Sequence, residues 1–145
     1  MPRIYLERRE MPDDLRRIFD LLDDEARSTA PPGECNPPAD IVESQNSVEI
    51  IMDLPGVTAD QLMVVFSRGT LLVSGVKKPR ACQHADAAFH LVERAFGRFT
   101  RAFRIAGAVD AGAARATLSA GELRVVVPRI ADRRGREIRI PVESV

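Results

Sequence analysis

The chain has 145 residues, 45% hydrophobic and 29% charged, which is enough for one domain with a real core and an arm at each end. Its 21 basic and 21 acidic side chains cancel to a formal net charge of +0 and are interspersed, which argues against a nucleic-acid footprint and favours self-association. No apolar run approaches the roughly 20 residues of a membrane span. Glu7, Glu10, Asp13 and Asp14 interrupt any signal-like start. The protein is therefore expected to be cytoplasmic and reduced, with no membrane and no nucleic acid among its partners. Cys35 and Cys82 have no metal-ligand spacing and form no disulfide framework, so no metal and no cofactor are expected.

The first element in chain order is an amphipathic helix over residues 13–27. Leu15, Ile18, Phe19 and Leu22 fall at i, i+3, i+4 and i+7, with Pro12 at the start and acids in the first turn. So short a helix needs something to cover its stripe. Two covers fit equally: its own domain, or other molecules reached by a detachable arm. Residues 28–38 hold four of the ten prolines and read as a linker.

From Ala39 the texture changes to short strands. Asp40 to Glu43 is a weak first strand, and Val48, Ile50, Met52 and Leu54 then alternate up to the Pro55-Gly56 turn. Leu62, Val64 and Phe66 alternate next. Met63 and Val65 fill the second face of that strand and predict burial on both sides. Arg68-Gly69 turns into a strand from Thr70 to Val76. Residues 77–91 are polar and Ala-rich, too long for a tight hairpin. His84 and His90 lie there with no third ligand at a sensible spacing, and they read as solvated loop histidines.

A strand resumes over Glu93 to Ile105, with Phe99, Phe103 and Ile105 on one face. Arg101 shares that face, and an unpaired buried guanidinium would cost several kcal/mol. It should meet a carboxylate at a strand edge or subunit contact, or else snorkel to solvent. A loop over residues 106–112 leads into the last hairpin. There Ala114, Ala116 and Leu118 alternate, Ser119-Ala120-Gly121 turns, and Leu123, Val125 and Val127 alternate up to Pro128. Turn signals about every ten residues imply an all-β, immunoglobulin-like antiparallel sandwich with a short N-terminal helix arm and a flexible C-terminal tail. The expected division is 1–38 arm, 39–128 sandwich and 129–145 extension. That extension is Arg-rich, yet it carries Ile138, Ile140 and Val142 at alternate positions, a pattern suited to an exposed sheet edge.

Five of these stretches together resemble the small heat shock proteins, the family built on an α-crystallin domain. Asp53-Leu54-Pro55-Gly56-Val57 is similar to that family's D-L-P-G-V turn, and Leu71-Leu72-Val73-Ser74-Gly75 to its L-x-I-S-G strand. Glu93-Arg94-Ala95-Phe96-Gly97-Arg98-Phe99-Thr100-Arg101 resembles the E-R-x-x-G-x-F-x-R strand of bacterial and plant members. Ala116, Gly121 and Leu123 before Pro128 resemble its late signature, and Ile138-x-Ile140 its C-terminal anchor. Two positions depart. Ala120 stands where the signature has Asn, so Gly121 should carry more of the turn, and Ala106 replaces a common proline.

The resemblance implies an ATP-independent holdase, an oligomer built from homodimers that captures unfolding clients. Ile138 and Ile140, or Ile140 and Val142 in the other register, would dock in a groove lined by Val64, Phe66, Ala116 and Leu118 of another dimer. Arg101, Phe89 and Leu91 would serve the dimer interface, with the long loop crossing to the neighbour. Leu15, Ile18, Phe19 and Leu22 would contact clients. Two other readings stand beside it. One is a dedicated co-chaperone-like adaptor for a single partner. The other is an enzyme, which would need a nucleophile–base–orienter pattern that Ser67, Ser74, His84 and His90 do not form.

Overall fold

Among the described residues seven strands form, six of them close to where the alternation predicts: β1 (Ala39–Glu43), β2 (Ser47–Asp53), β3 (Leu62–Ser67), β4 (Thr70–Lys77), β5 (Gly97–Arg104), β6 (Arg115–Ser119) and β7 (Glu122–Pro128). The computed structural model describes residues 12–18, 20–21, 35–80, 83–131 and 141–142. Residues 13–18 and 20–21 are helical and form α1; the rest of the predicted helix lies outside the described residues. The strands make two antiparallel sheets, one ordered β1-β2-β7-β6 and the other β3-β4-β5.

Period-two patterning decides which side chains meet between the sheets. Val48, Ile50 and Met52 of β2 and Leu123, Val125 and Val127 of β7 point inward from one layer. Leu71, Val73, Phe99 and Phe103 answer from β4 and β5, and all belong to one buried cluster. Neither sheet could keep its apolar face in water, so the two close on each other as a sandwich. Each fully buried side chain of this kind contributes about 1.5–3 kcal/mol.

Both tight hairpins use two-residue turns. Arg68 and Gly69 (φ 48° and 76°) join β3 to β4, and Ala120 and Gly121 (φ 51° and 77°) join β6 to β7. Two successive positive φ values match the twist of the flanking strands. Gly121 therefore does not carry its turn alone: Ala120 is itself left-handed. The Gly121 carbonyl accepts a 2.6 Å bond from Leu54 N–H, which ties this hairpin to the Pro55-Gly56 turn.

β5 begins later than the alternation predicts. Gly97 has φ 118°, and residues 93–96 before it are irregular. Phe96 lies there, 5.6 Å from the Lys77 ammonium and 4.9 Å from the Arg94 guanidinium, measured to its ring centre. β3 also departs from expectation, because Val65 is half-buried on the second face while Met63 is exposed. The partner that covers Val65 is α1.

Candidate assembly surfaces

β3 and β6 are the outer strands of their respective sheets, and so are β1 and β5. Among the described residues, no further strand pairs with the outer edge of β1, β3, β5 or β6, and such an edge offers backbone groups that a second polypeptide can use. Val64 and Phe66 of β3 and Leu118 of β6 pack onto the shared core from partly exposed positions, as do their neighbours Leu62 and Ala114. Ala116 is exposed. Ile138 and Ile140 lie outside the described residues, while Val142 is described and 96% exposed.

The β4–β5 connection carries the largest exposed apolar side chains of the described loop. Phe89 is 79% exposed and Leu91 73%, and Val92 beside them is as open. Sequence reading had singled out the first two. No described strand forms between β4 and β5, so nothing local hides them. His84 and His90 are exposed in the same loop. Among the described residues, no group of three or more His, Cys, Asp and Glu side chains could hold a metal ion. No described helix is long and apolar enough to cross a membrane.

Arg101 stands opposite Val73 on an outer strand, and its Nε is buried. Its Nη1 donates to the Pro37 carbonyl, and its charge lies 5.3 Å from the Phe103 ring centre. Within one chain the cation meets a linker carbonyl and an aromatic face. Residues 35–38 of the same linker are held at both ends. Cys35 N–H donates 3.0 Å to the Arg98 carbonyl, and Asp53 N–H donates 3.2 Å to the Pro38 carbonyl. These bonds strap residues 35–38 between β5 and β2, strands of opposite sheets. Burial pushes the Cys35 thiol above its ordinary pKa, partly offset by the Lys77 ammonium. The strap left no sequence signal, since its bonds use backbone groups of proline-rich chain.

Of the predicted arm residues, Leu15 is 2% exposed and Ile18 half-buried, both against the outer face of the β3-β4-β5 sheet. Phe19 and Leu22 lie outside the described residues.

A two-layer sandwich with bare edges, an apolar loop and a strapped-in linker has the equipment to bind other polypeptides through apolar and backbone contacts. The chain belongs to the Hsp20/alpha crystallin family, whose profile matches residues 40–143. It is 33% identical over 100 residues to heat shock protein 16 of Schizosaccharomyces pombe, a match covering 68% of this chain and 70% of that one. It is 28% identical over 105 residues to small heat shock protein C4 of Rickettsia felis, covering 72% of this chain and 64% of the relative. Two solved structures share the fold at TM-score 0.63. One is heat shock protein 16.0 of S. pombe, at 28% identity and covering 76% of this chain and all of that one. The other is a small heat-shock protein of Xylella fastidiosa, described as having a distinct high order structure, at 29% identity and covering 74% and 98%.

Proposed function

We propose that this small heat shock protein is an ATP-independent holdase of the cytoplasm, working as an oligomer built from dimers and capturing unfolding proteins before they aggregate. The observation that carries this reading is the exposed trio Phe89, Leu91 and Val92 on a long loop, in a sandwich whose outer strands pair with no further strand among the described residues. Apolar side chains this open are stabilised by transfer onto another chain, at roughly 25 cal/mol per Å² buried. The loop crosses to a neighbouring copy to form the dimer, with Arg101 close to the same outer strand. Ile138 and Ile140 of the tail join dimers through the Val64–Phe66 and Ala116–Leu118 edges. Clients are held by non-directional apolar burial, which needs no shaped pocket and gives a broad range.

The test measures light scattering of a heat-unfolding client with and without the protein, in the absence of ATP, beside the molar mass by size-exclusion chromatography with light scattering. Suppressed scattering by a species larger than a dimer is expected. A stable monomer that leaves client aggregation unchanged would overturn the reading in favour of a dedicated adaptor.

A further inference from the structure

β5 is an outer strand, but the chain's own linker lies against it. Cys35 donates twice, from its backbone N–H to the Arg98 carbonyl and from its thiol, at 3.5 Å, to the Gly97 carbonyl. Two residues on, the Pro37 carbonyl accepts from Arg101 Nη1. Pro37 is buried, and Cys35 packs half-buried on the shared core, so the segment is seated as well as bonded. Among the described residues, β5 is the one outer strand whose backbone takes a bond from chain outside the two sheets; β1, β3 and β6 take none.

The residues in this segment make it a cover that ends the sheet. A covering strand of ordinary residues brings N–H groups of its own and moves the open edge outward by one strand. Pro37 and Pro38 have no N–H, and the Pro38 carbonyl is bonded to Asp53 of the opposite sheet. The segment's donors are therefore Cys35, already bonded to β5, and Asn36. Consecutive prolines also hold the chain extended without help from a ladder partner, and they restrict Asn36 before them to the extended region.

Charge shows which strand such a cover keeps away. β5 carries Arg98, Arg101 and Arg104 in eight residues. A second β5 laid beside it would set arginine against arginine. β1, an outer strand of the other sheet, carries Asp40 and Glu43 in five residues. Asp40 and Arg104 are both exposed, and opposite charges across a strand pair are favourable. A contact between β1 of one copy and β5 of the next uses two different surfaces. It does not close on itself, and each added copy offers the same two edges again.

We propose that residues 35–38 are an edge guard that keeps β1 of a second copy from adding to β5, and so prevents open-ended, head-to-tail growth of the protein. The guard is fastened to β5 by the Cys35 N–H and by the Arg101 guanidinium. The inference does not rest on the holdase reading, because it concerns contacts between copies of this chain alone.

The test uses the full chain under reducing conditions. Cys35→Pro deletes the N–H that bonds Arg98, whereas Cys35→Ala keeps it and controls for loss of the thiol. Sedimentation velocity over a range of protein concentrations reads the weight-average molar mass. The parent and Cys35→Ala should reach a plateau. Cys35→Pro should climb without one, less steeply at high salt, and adding Asp40→Lys to it should restore the plateau. Where Cys35→Pro loses the circular dichroism of the sandwich, the double change Pro37→Gly, Pro38→Gly takes its place. It returns N–H donors to the cover and should also climb. A folded Cys35→Pro, or in its place the folded glycine variant, that keeps the parent's plateau would overturn the guard. So would a parent that climbs as steeply as the variant. Growth that Asp40→Lys leaves unchanged would overturn β1 as the strand kept away.

Discussion

Ala120 offers a clean perturbation, because it is exposed and its strain is local. It occupies φ 51° in a two-residue turn between Ser119 and Glu122, which pair directly across β6 and β7. An L-residue with a Cβ loses roughly 1–2 kcal/mol in this left-handed region, and asparagine recovers part of it by local hydrogen bonding. Asn-Gly is also the favoured pair for a turn with two positive φ values. Ala120→Asn should therefore stabilise the sandwich by about 0.5–1 kcal/mol. For a domain of this size that raises Tm by roughly 2–6 °C. Ala120→Gly relieves the same strain but enlarges the unfolded ensemble, so its gain should be smaller. Thermal unfolding followed by circular dichroism at one protein concentration, with the oligomeric state verified, reads all three proteins. An unchanged or lower Tm for Ala120→Asn, or a larger gain for Gly than for Asn, would refute the reasoning.

The remaining perturbations act on packing, on the strap and on assembly. A Cβ added at Gly75 would lie 2.6 Å from the Gln61 carbonyl oxygen and 2.8 Å from the Phe99 ring, and the backbone oxygen cannot retreat cheaply. Gly75→Ala should destabilise by about 2 kcal/mol and lower Tm by roughly 10 °C, and an unchanged Tm would show that the strands can slide apart there. Arg101→Ala removes the charged donor to Pro37 and the contact with Phe103, so stability should fall by about 2 kcal/mol in urea unfolding. Full stability together with an unchanged dimer dissociation constant would mean that the side chain merely lies along the surface. Replacing Ile138 and Ile140 with Ala should reduce the assembly to dimers while circular dichroism stays native. An unchanged molar mass would move the anchor to Ile140 and Val142 or elsewhere.

Legibility varied with the range of the interaction. Alternation placed β2, β3, β4 and β7 to within a residue or two, because a strand with one face in the core must repeat every second residue. It failed at the start of β5, where Gly97 takes a positive φ and ends the ladder although Phe96 continues the apolar look of the sequence. The stripe of Leu15 and Ile18 was readable as one face of a helix, but its two possible covers were not separable from the stripe alone. Val65, Leu72 and Ala102 are far apart in sequence, and each by itself is an ordinary strand residue. Only the register of β3 on β4 and of β4 on β5 brings them into one row. The Arg101 partner was hidden for a related reason. Its bond to the Pro37 carbonyl uses a group that every residue carries and no motif marks.

Local chemistry in the chain determined the family, the strands and the turn positions, since periodicity, glycine and proline act within a few residues of themselves. Tertiary structure alone decided that α1 lies on the outer sheet face, that residues 35–38 bridge the two layers, and that Ala120 shares the left-handed turn with Gly121. Those outcomes depend on which surfaces remain uncovered after the two sheets close. That is a property of the packed molecule, because burial is settled by all neighbours at once and sequence spacing constrains only the nearest of them.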